Sequence, residues 1–341
     1  MMNRRMKMKL ASALLVGASL GIAPVVKADD IQKRTIRWGH LLNKDHPLSM
    51  GVQKFAELAA EKSDGKIRIR EFPSSQLGSE LQQQSALQGG SQEMMSAATS
   101  TLAGIVPEYG ILDFPFIFAN EEEAYKLLDG PVGSMLEEKL AQHGLVSLGF
   151  WENGFRNVTN SRRAIEKPED LAGLKIRVMP NPVYMQAFEA FRSNPVPLAF
   201  SELFTALETG AVDAQENPYA IILSNKFSEV QKYLSVTNHT YNAFAVIVSK
   251  AFWDKLSEAE RQVLRDSFAE AQAYQRQVSR DASGKALTEL EGSGMAINTI
   301  EPEQLERLRE IVQPVIDKFA ASYDPELVKA FYAEVEKIRG N

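Results

Sequence analysis

The chain has 341 residues, 44% of them hydrophobic, a formal net charge of −6 and no cysteine. The missing thiols exclude disulfides, thiol catalysis and thiolate metal sites, and the acidic balance argues against nucleic acid or anionic lipid as a partner. The length fits two domains, each large enough to be held by its own core.

The amino terminus reads as a secretory leader. Arg4, Arg5, Lys7 and Lys9 precede an apolar run from Leu10 to Val26, and Val26 and Ala28 provide small residues ahead of Asp29. This order predicts a signal peptide over 1–28 and a mature chain beginning at Asp29. The run is shorter than the roughly 20 residues of a spanning helix and is interrupted by Pro24. Cleavage removes five cationic residues and no acidic one, taking the formal charge to −11. An anionic ligand then needs local arginines, because the overall field repels it.

Thr35 to His40 has a strand pattern. A helix is predicted over Pro47 to Lys62, with Met50, Phe55 and Leu58 as its apolar stripe. Ser63-Asp64-Gly65 makes a turn, Lys66 to Arg70 alternates as a strand, and a helix from Glu80 to Gln88 stops at Gly89-Gly90. This β-α-β-α order implies an α/β fold with a parallel sheet. Further strands are predicted over Leu145 to Trp151, Gly173 to Val178 and Ala243 to Val248. Asn181-Pro182 caps one helix, and another runs from Ser201 to Glu208. The box Ser257-Glu258-Ala259-Glu260 opens a long helix reaching towards Glu291. A short strand over Met295 to Ile300 and helices from Pro302 complete the chain.

Neither a glycine-rich phosphate loop nor a G-x-S-x-G elbow occurs. His40, His46, His143 and His239 lack metal-ligand spacing, and no cofactor or metal is expected. His40 alone is retained as a candidate, because it ends the first strand and ligands of open α/β sheets collect at carboxyl ends of strands. The same rule selects Arg177, followed by the helix start at Pro182, where a guanidinium can take a carboxylate through two parallel hydrogen bonds; an ordinary ion pair would look alike. Trp151-Glu152-Asn153-Gly154-Phe155-Arg156 combines aromatic, acidic, amide and guanidinium groups suited to a polyhydroxy acid, or to a packed crossover. In Gln215-Glu216-Asn217-Pro218 the plainer reading makes Asn217 the cap of a helix begun by Pro218.

Five motifs in this order resemble the extracytoplasmic solute-binding proteins of tripartite ATP-independent periplasmic (TRAP) transporters. They are Ser63-Asp64-Gly65-Lys66-Ile67, Pro73-Ser74-Ser75-Gln76-Leu77-Gly78, Gly173-Leu174-Lys175-Ile176-Arg177-Val178, Phe200-Ser201-Glu202-Leu203 and Val212-Asp213-Ala214-Gln215-Glu216-Asn217-Pro218. The likeness runs from about Ile31 to Ile338, with Ala214 standing where many members have glycine. It implies a two-domain periplasmic binding protein with a central cleft and a long helix spanning both domains. One domain would comprise 29–151 plus 243–280, the other 152–242 plus 281–341. It further implies that Arg177 is the main carboxylate anchor, joined by Arg156, Asn217 and Phe200. The expected partners are a small organic acid and the membrane subunits of the transporter, with the protein acting as a periplasmic monomer and not as an enzyme.

Glu152 before Asn153 resembles the subgroup associated with hexuronates such as glucuronate and galacturonate, with Glu152, Asn153 and His40 receiving sugar hydroxyls. A binding protein for a C4-dicarboxylate or a 2-keto acid is the alternative. A periplasmic hydrolase or lyase using His40 and Glu152 is the remaining one, and it predicts turnover of the bound compound.

Overall fold

The computed structural model describes residues 31–340; the expected leader over 1–28 and the cleavage point before Asp29 lie outside the described residues. The first segment is β1 (Arg34–Gly39), α1 (Pro47–Lys62), β2 (Ile67–Phe72), α2 (Glu80–Gln88) and β3 (Met94–Ala98). His46 caps α1 by accepting from the Leu48 amide (3.1 Å), with Pro47 at its first turn. Its buried stripe is Leu48, Val52, Phe55, Leu58 and Ala59; Met50, expected in that stripe, is 37% exposed. The 100° step between helical residues turns position 50 away from the face shared by 48, 52 and 55.

A helical stretch follows, α3 (Thr99–Leu102), a 3-10 turn over Pro107–Asp113, α4 (Glu121–Leu128) and α5 (Pro131–Ala141), and leads into β4 (Leu145–Asn160). Then come β5 (Lys175–Val178), α6 (Pro182–Ala190), β6 (Asn194–Pro197), α7 (Phe200–Glu208), β7 (Ala214–Asn217), α8 (Tyr219–Ser224) and β8 (Tyr233–Ser249). The chain ends with α9 (Lys250–Trp253), α10 (Glu258–Gly292), β9 (Ala296–Thr299), α11 (Pro302–Ala320) and α12 (Pro325–Gly340).

The strands lie in the order β2-β1-β3-β8-β4-β7-β5-β6, with β9 also paired to β8. The sheet is mixed and not parallel throughout as expected. Pairs β1/β2, β1/β3, β5/β6 and β5/β7 are parallel, whereas β3/β8, β4/β8 and β4/β7 are antiparallel. The antiparallel pairs all involve β4 or β8, strands of 16 and 17 residues that run through both halves of the sheet. Each parallel half is a β-α-β unit, and the two long strands weld the units together.

The 35-residue α10 begins with the expected Ser257–Glu260 box and is roughly 50 Å long at 1.5 Å per residue. It packs on α1 at one end of the sheet and on α8 at the other. Trp151 of β4 lies between Trp38 of β1 (5.5 Å between ring centres) and Phe268 of α10 (6.1 Å), so one buried indole joins three elements. Burying such a ring stabilises by several kcal/mol, and Trp151→Ala is expected to cost about 3–5 kcal/mol.

Candidate functional site

Arg177 sits in β5 between β6 and β7 and is only 2% exposed. Its Nε donates to the Leu198 carbonyl at 2.9 Å, while Nη1 is buried and has no hydrogen-bond partner among the described residues. The guanidinium lies 5.9 Å from the centre of the Phe200 ring, which opens α7. Both residues line a chamber of about 20 Å³ with Ser75, Glu80, Thr101 and Ser201. A groove of about 380 Å³ shares Ser75, Phe200 and Ser201 with the chamber. Loop and helix ends from both halves of the sheet therefore meet at one arginine. Burial lowers Arg177 to about 10, with Arg156 adding repulsion and Glu216 and Glu80 opposing it. The group remains a cation at neutral pH.

Glu80, not singled out in the sequence, is the first residue of α2 and accepts from the Ala98 amide at 2.7 Å. Burial pushes it up to about 7 despite that bond and the attraction of Arg177 and Arg156. An acid in a first helical turn is ordinary, so no local signal distinguished it.

Arg156 is 1% exposed and committed to Glu216, which is fully buried. Its Nε and Nη2 donate to the two carboxylate oxygens at 2.5 and 2.8 Å, and Nη2 also donates to Asn217 Oδ1 at 3.0 Å. His239 Nε2 lies 3.2 Å from Glu216 Oε2, and its Nδ1 is 2.8 Å from Thr237 Oγ1. Burial works against the Glu216 carboxylate, but Arg156 and His239 outweigh it and hold the group down at about 2. Asn217 ends β7, and its side chain donates to Gln215 Oε1 at 2.5 Å. Pro218, not Asn217, occupies the cap position of α8. Strand pairing of Asn217 with Asn157 of β4 delays the helix by one residue and frees the amide from capping.

Asn153 donates to Asn242 Oδ1 (2.8 Å), and Asn242 to Ser100 Oγ (2.7 Å). Ser100 Oγ and Asn181 Nδ2 then serve the two oxygens of Asp113 at 2.5 and 2.9 Å. The chain of bonds links β4 and β8 to the cap of α6. Burial raises Asp113 to about 7.

Glu152 and His40 are not brought to the chamber. Glu152 accepts from the Tyr125 hydroxyl on α4. His40 Nε2 lies 2.9 Å from Glu71, which also accepts from Ser49; its neighbour Leu41 reaches the chamber wall instead. Among the described residues no group of three or more His, Asp or Glu is arranged to hold a metal, and no helix is long and apolar enough to cross a membrane.

Residues 38–322 match the family model of bacterial extracellular solute-binding proteins, family 7, also designated DctP. The chain belongs to this family. A relative in Escherichia coli K12, the 2,3-diketo-L-gulonate-binding periplasmic protein YiaO, is 37% identical over 86% of this chain and 89% of its own. The crystal structure of the sugar acid binding protein DctPAm from Advenella mimigardefordensis, in complex with galactonate, superposes with a TM-score of 0.89. It is 40% identical and the match covers 90% of this chain and 99% of that one. A TRAP periplasmic solute-binding protein from Sulfurospirillum deleyianum with bound succinate superposes with a TM-score of 0.84 at 32% identity, covering 89% and 99%. The family-7 protein is thus a TRAP solute-binding component for small acids, extracytoplasmic, working with membrane components, and not an enzyme.

Proposed function

We propose that the acid captured by this solute-binding protein is a hydroxylated monocarboxylate of the sugar-acid type, a hexuronate such as D-glucuronate or D-galacturonate, or an open-chain aldonate. The observation that carries the reading is the pairing of Arg177 with Glu80 at one chamber: a buried guanidinium nitrogen without a partner among the described residues stands beside a carboxyl. Arg177 takes the ligand carboxylate, with Arg156, Asn217 and Phe200 around it. Glu80, Ser75, Thr101 and Ser201 face the rest of the ligand, and Glu80 is an acceptor for hydroxyls. A second ligand carboxylate would lack a cation at the chamber, because Arg156 is already neutralised by Glu216. Leaving such a charge desolvated and unpaired is costly.

The chamber is roughly the size of one water molecule, so a sugar acid enters only when its walls separate. We read the two halves of the sheet as domains, 29–151 plus 243–280 and 152–242 plus 281–341, that open and close on the ligand. In this reading the protein is exported through a cleaved leader and acts as a monomer. Isothermal titration with D-galactonate, D-glucuronate, D-galacturonate and succinate tests the assignment. A sugar acid is expected to bind tightest; succinate binding tighter than all three overturns it.

A further inference from the structure

We propose that Glu152 is a positioning residue for closure of the cleft: clamped by Tyr125 between α4 and α10, its carboxyl holds the crossover of β4 in the narrow arrangement and sets affinity for all ligands alike. The inference rests on the reading of the chamber as a closing acid site, but not on which acid it takes.

The β4/β8 ladder shifts register between Glu152 and Gly154, and Gly154 has φ +114°, a conformation strained for any residue with a Cβ. Before this step β4 pairs with Ala243–Ser249; after it, with the part of β8 below Ala243 and with β7. Two other register shifts occur in the ladder, but this one is gripped from the side. Gln275 of α10, fully buried, donates to the Glu152 carbonyl and accepts from the Glu152 amide, both at 2.8 Å. Gln275 also donates to Ser279 Oγ at 2.9 Å, which fixes its rotamer along α10.

The side chain of Glu152, 2% exposed, completes the grip. Tyr125 of α4 donates its hydroxyl to the carboxylate and accepts from Arg280 Nη1 at 3.1 Å. The Tyr125 ring carries the guanidinium groups of Arg276 and Arg280, 4.2 and 5.4 Å from its centre. Arg276 in turn holds Asp129, at the end of α4, through bonds of 2.6 and 2.8 Å. A buried carboxyl served by a phenol is expensive, and its placement is one a merely structural core would fill with an apolar residue. Asn153 lies within the step and Arg156 beyond it, so the register held at Glu152 decides where the Arg156–Glu216 pair and the Asp113 network lie. Across the cleft mouth Asn43 donates to the Ser224 carbonyl at 2.9 Å, as befits the narrow arrangement that the clamp holds.

Glu152→Gln, Tyr125→Phe and the double variant would be titrated with galactonate, glucuronate and succinate. The absence of cysteine lets a fluorophore pair be introduced at the exposed positions Glu61 and Glu208 to follow closure by energy transfer in the same proteins. The expected result is a loss of affinity by one common factor for every ligand bound, on the order of 5- to 100-fold. The double variant should be no worse than the weaker single one, and the ligand-free distance distribution should shift towards the open form. A loss confined to the hydroxylated acids would mean that Glu152 touches the ligand and would overturn the proposal. So would unchanged affinity and closure with only a lowered melting temperature. Tyr125→Phe, which keeps the ring under both arginines, carries the test should Glu152→Gln fail to fold. A native preference for succinate would refute the sugar-acid reading and leave the common-factor comparison intact.

Discussion

Arg156 and Glu216, sixty residues apart, form a two-bond ion pair with no more than 1% of either side chain exposed to solvent. In the proposed binding mode the pair cancels a charge that would otherwise compete with Arg177 for the ligand carboxylate, while Arg177, at the chamber wall, keeps a buried nitrogen free of partners among the described residues.

Arg177→Ala is expected to remove detectable binding while the protein stays folded, because Arg177 donates to a single backbone carbonyl, that of Leu198. Loss of one member of a buried charge pair costs about 2–5 kcal/mol, roughly 30- to several-thousand-fold in affinity. Arg177→Lys should bind poorly too, since a point charge cannot reproduce the planar fork. Calorimetry showing native affinity in Arg177→Lys would contradict the anchor role.

Glu216→Gln should destabilise the fold by about 3–5 kcal/mol, because it strands the Arg156 charge in the interior. The sign with pH follows from Glu216 lying near 2 in the folded protein, against about 4.3 in an unfolded chain. Its contribution is complete above the unfolded value and is lost as pH falls from there towards 2. Urea denaturation across that window should show a slope in the native protein that is reduced in Glu216→Gln.

Binding should tighten as pH falls through neutrality. Glu80 and Asp113 lie at about 7, and an anion seated at Arg177 favours their protonated forms further, so proton uptake accompanies binding. Affinity for a sugar acid is expected to be higher near pH 6 than near pH 8, with the dependence diminished in Glu80→Gln. Calorimetry in buffers of different ionisation enthalpy measures the proton count; proton release on binding would contradict the assignment. For stability the sign is the same. Each group ionises lower when unfolded, so the folded state holds more protons between about 4 and 7 and loses stability as pH rises across that window.

The mature protein should begin at or near Asp29. Intact-mass measurement of material recovered from the periplasm checks this, and a chain retaining Arg4 and Arg5 would contradict the export reading.

Local physics was legible without the structure. The caps at Asn181 and Ser257, the helix start at Pro47 and the stop at Gly89 are set by groups within four residues of one another, and each stands where the sequence puts it. Apolar runs found the end of β8 and the start of β4 but not their full lengths, because polar residues such as Asn157, Thr159, Thr237 and His239 are buried there by tertiary bonds and break the apolar pattern. The five motifs also carried the family. What they did not carry was the wiring of charge. His40 follows β1 as the sequence suggests, whereas Glu152 lies midway along β4, which runs on to Asn160; their side chains are taken by Glu71 and Tyr125, while an unremarked first-turn acid, Glu80, stands by Arg177. A carboxylate's partner is chosen by through-space proximity across distant segments, and desolvation makes that choice decisive; periodicity and capping act along the chain, and so the chain could specify its elements but only the assembled sheet could decide which arginine lines the chamber and which is paired with a carboxylate.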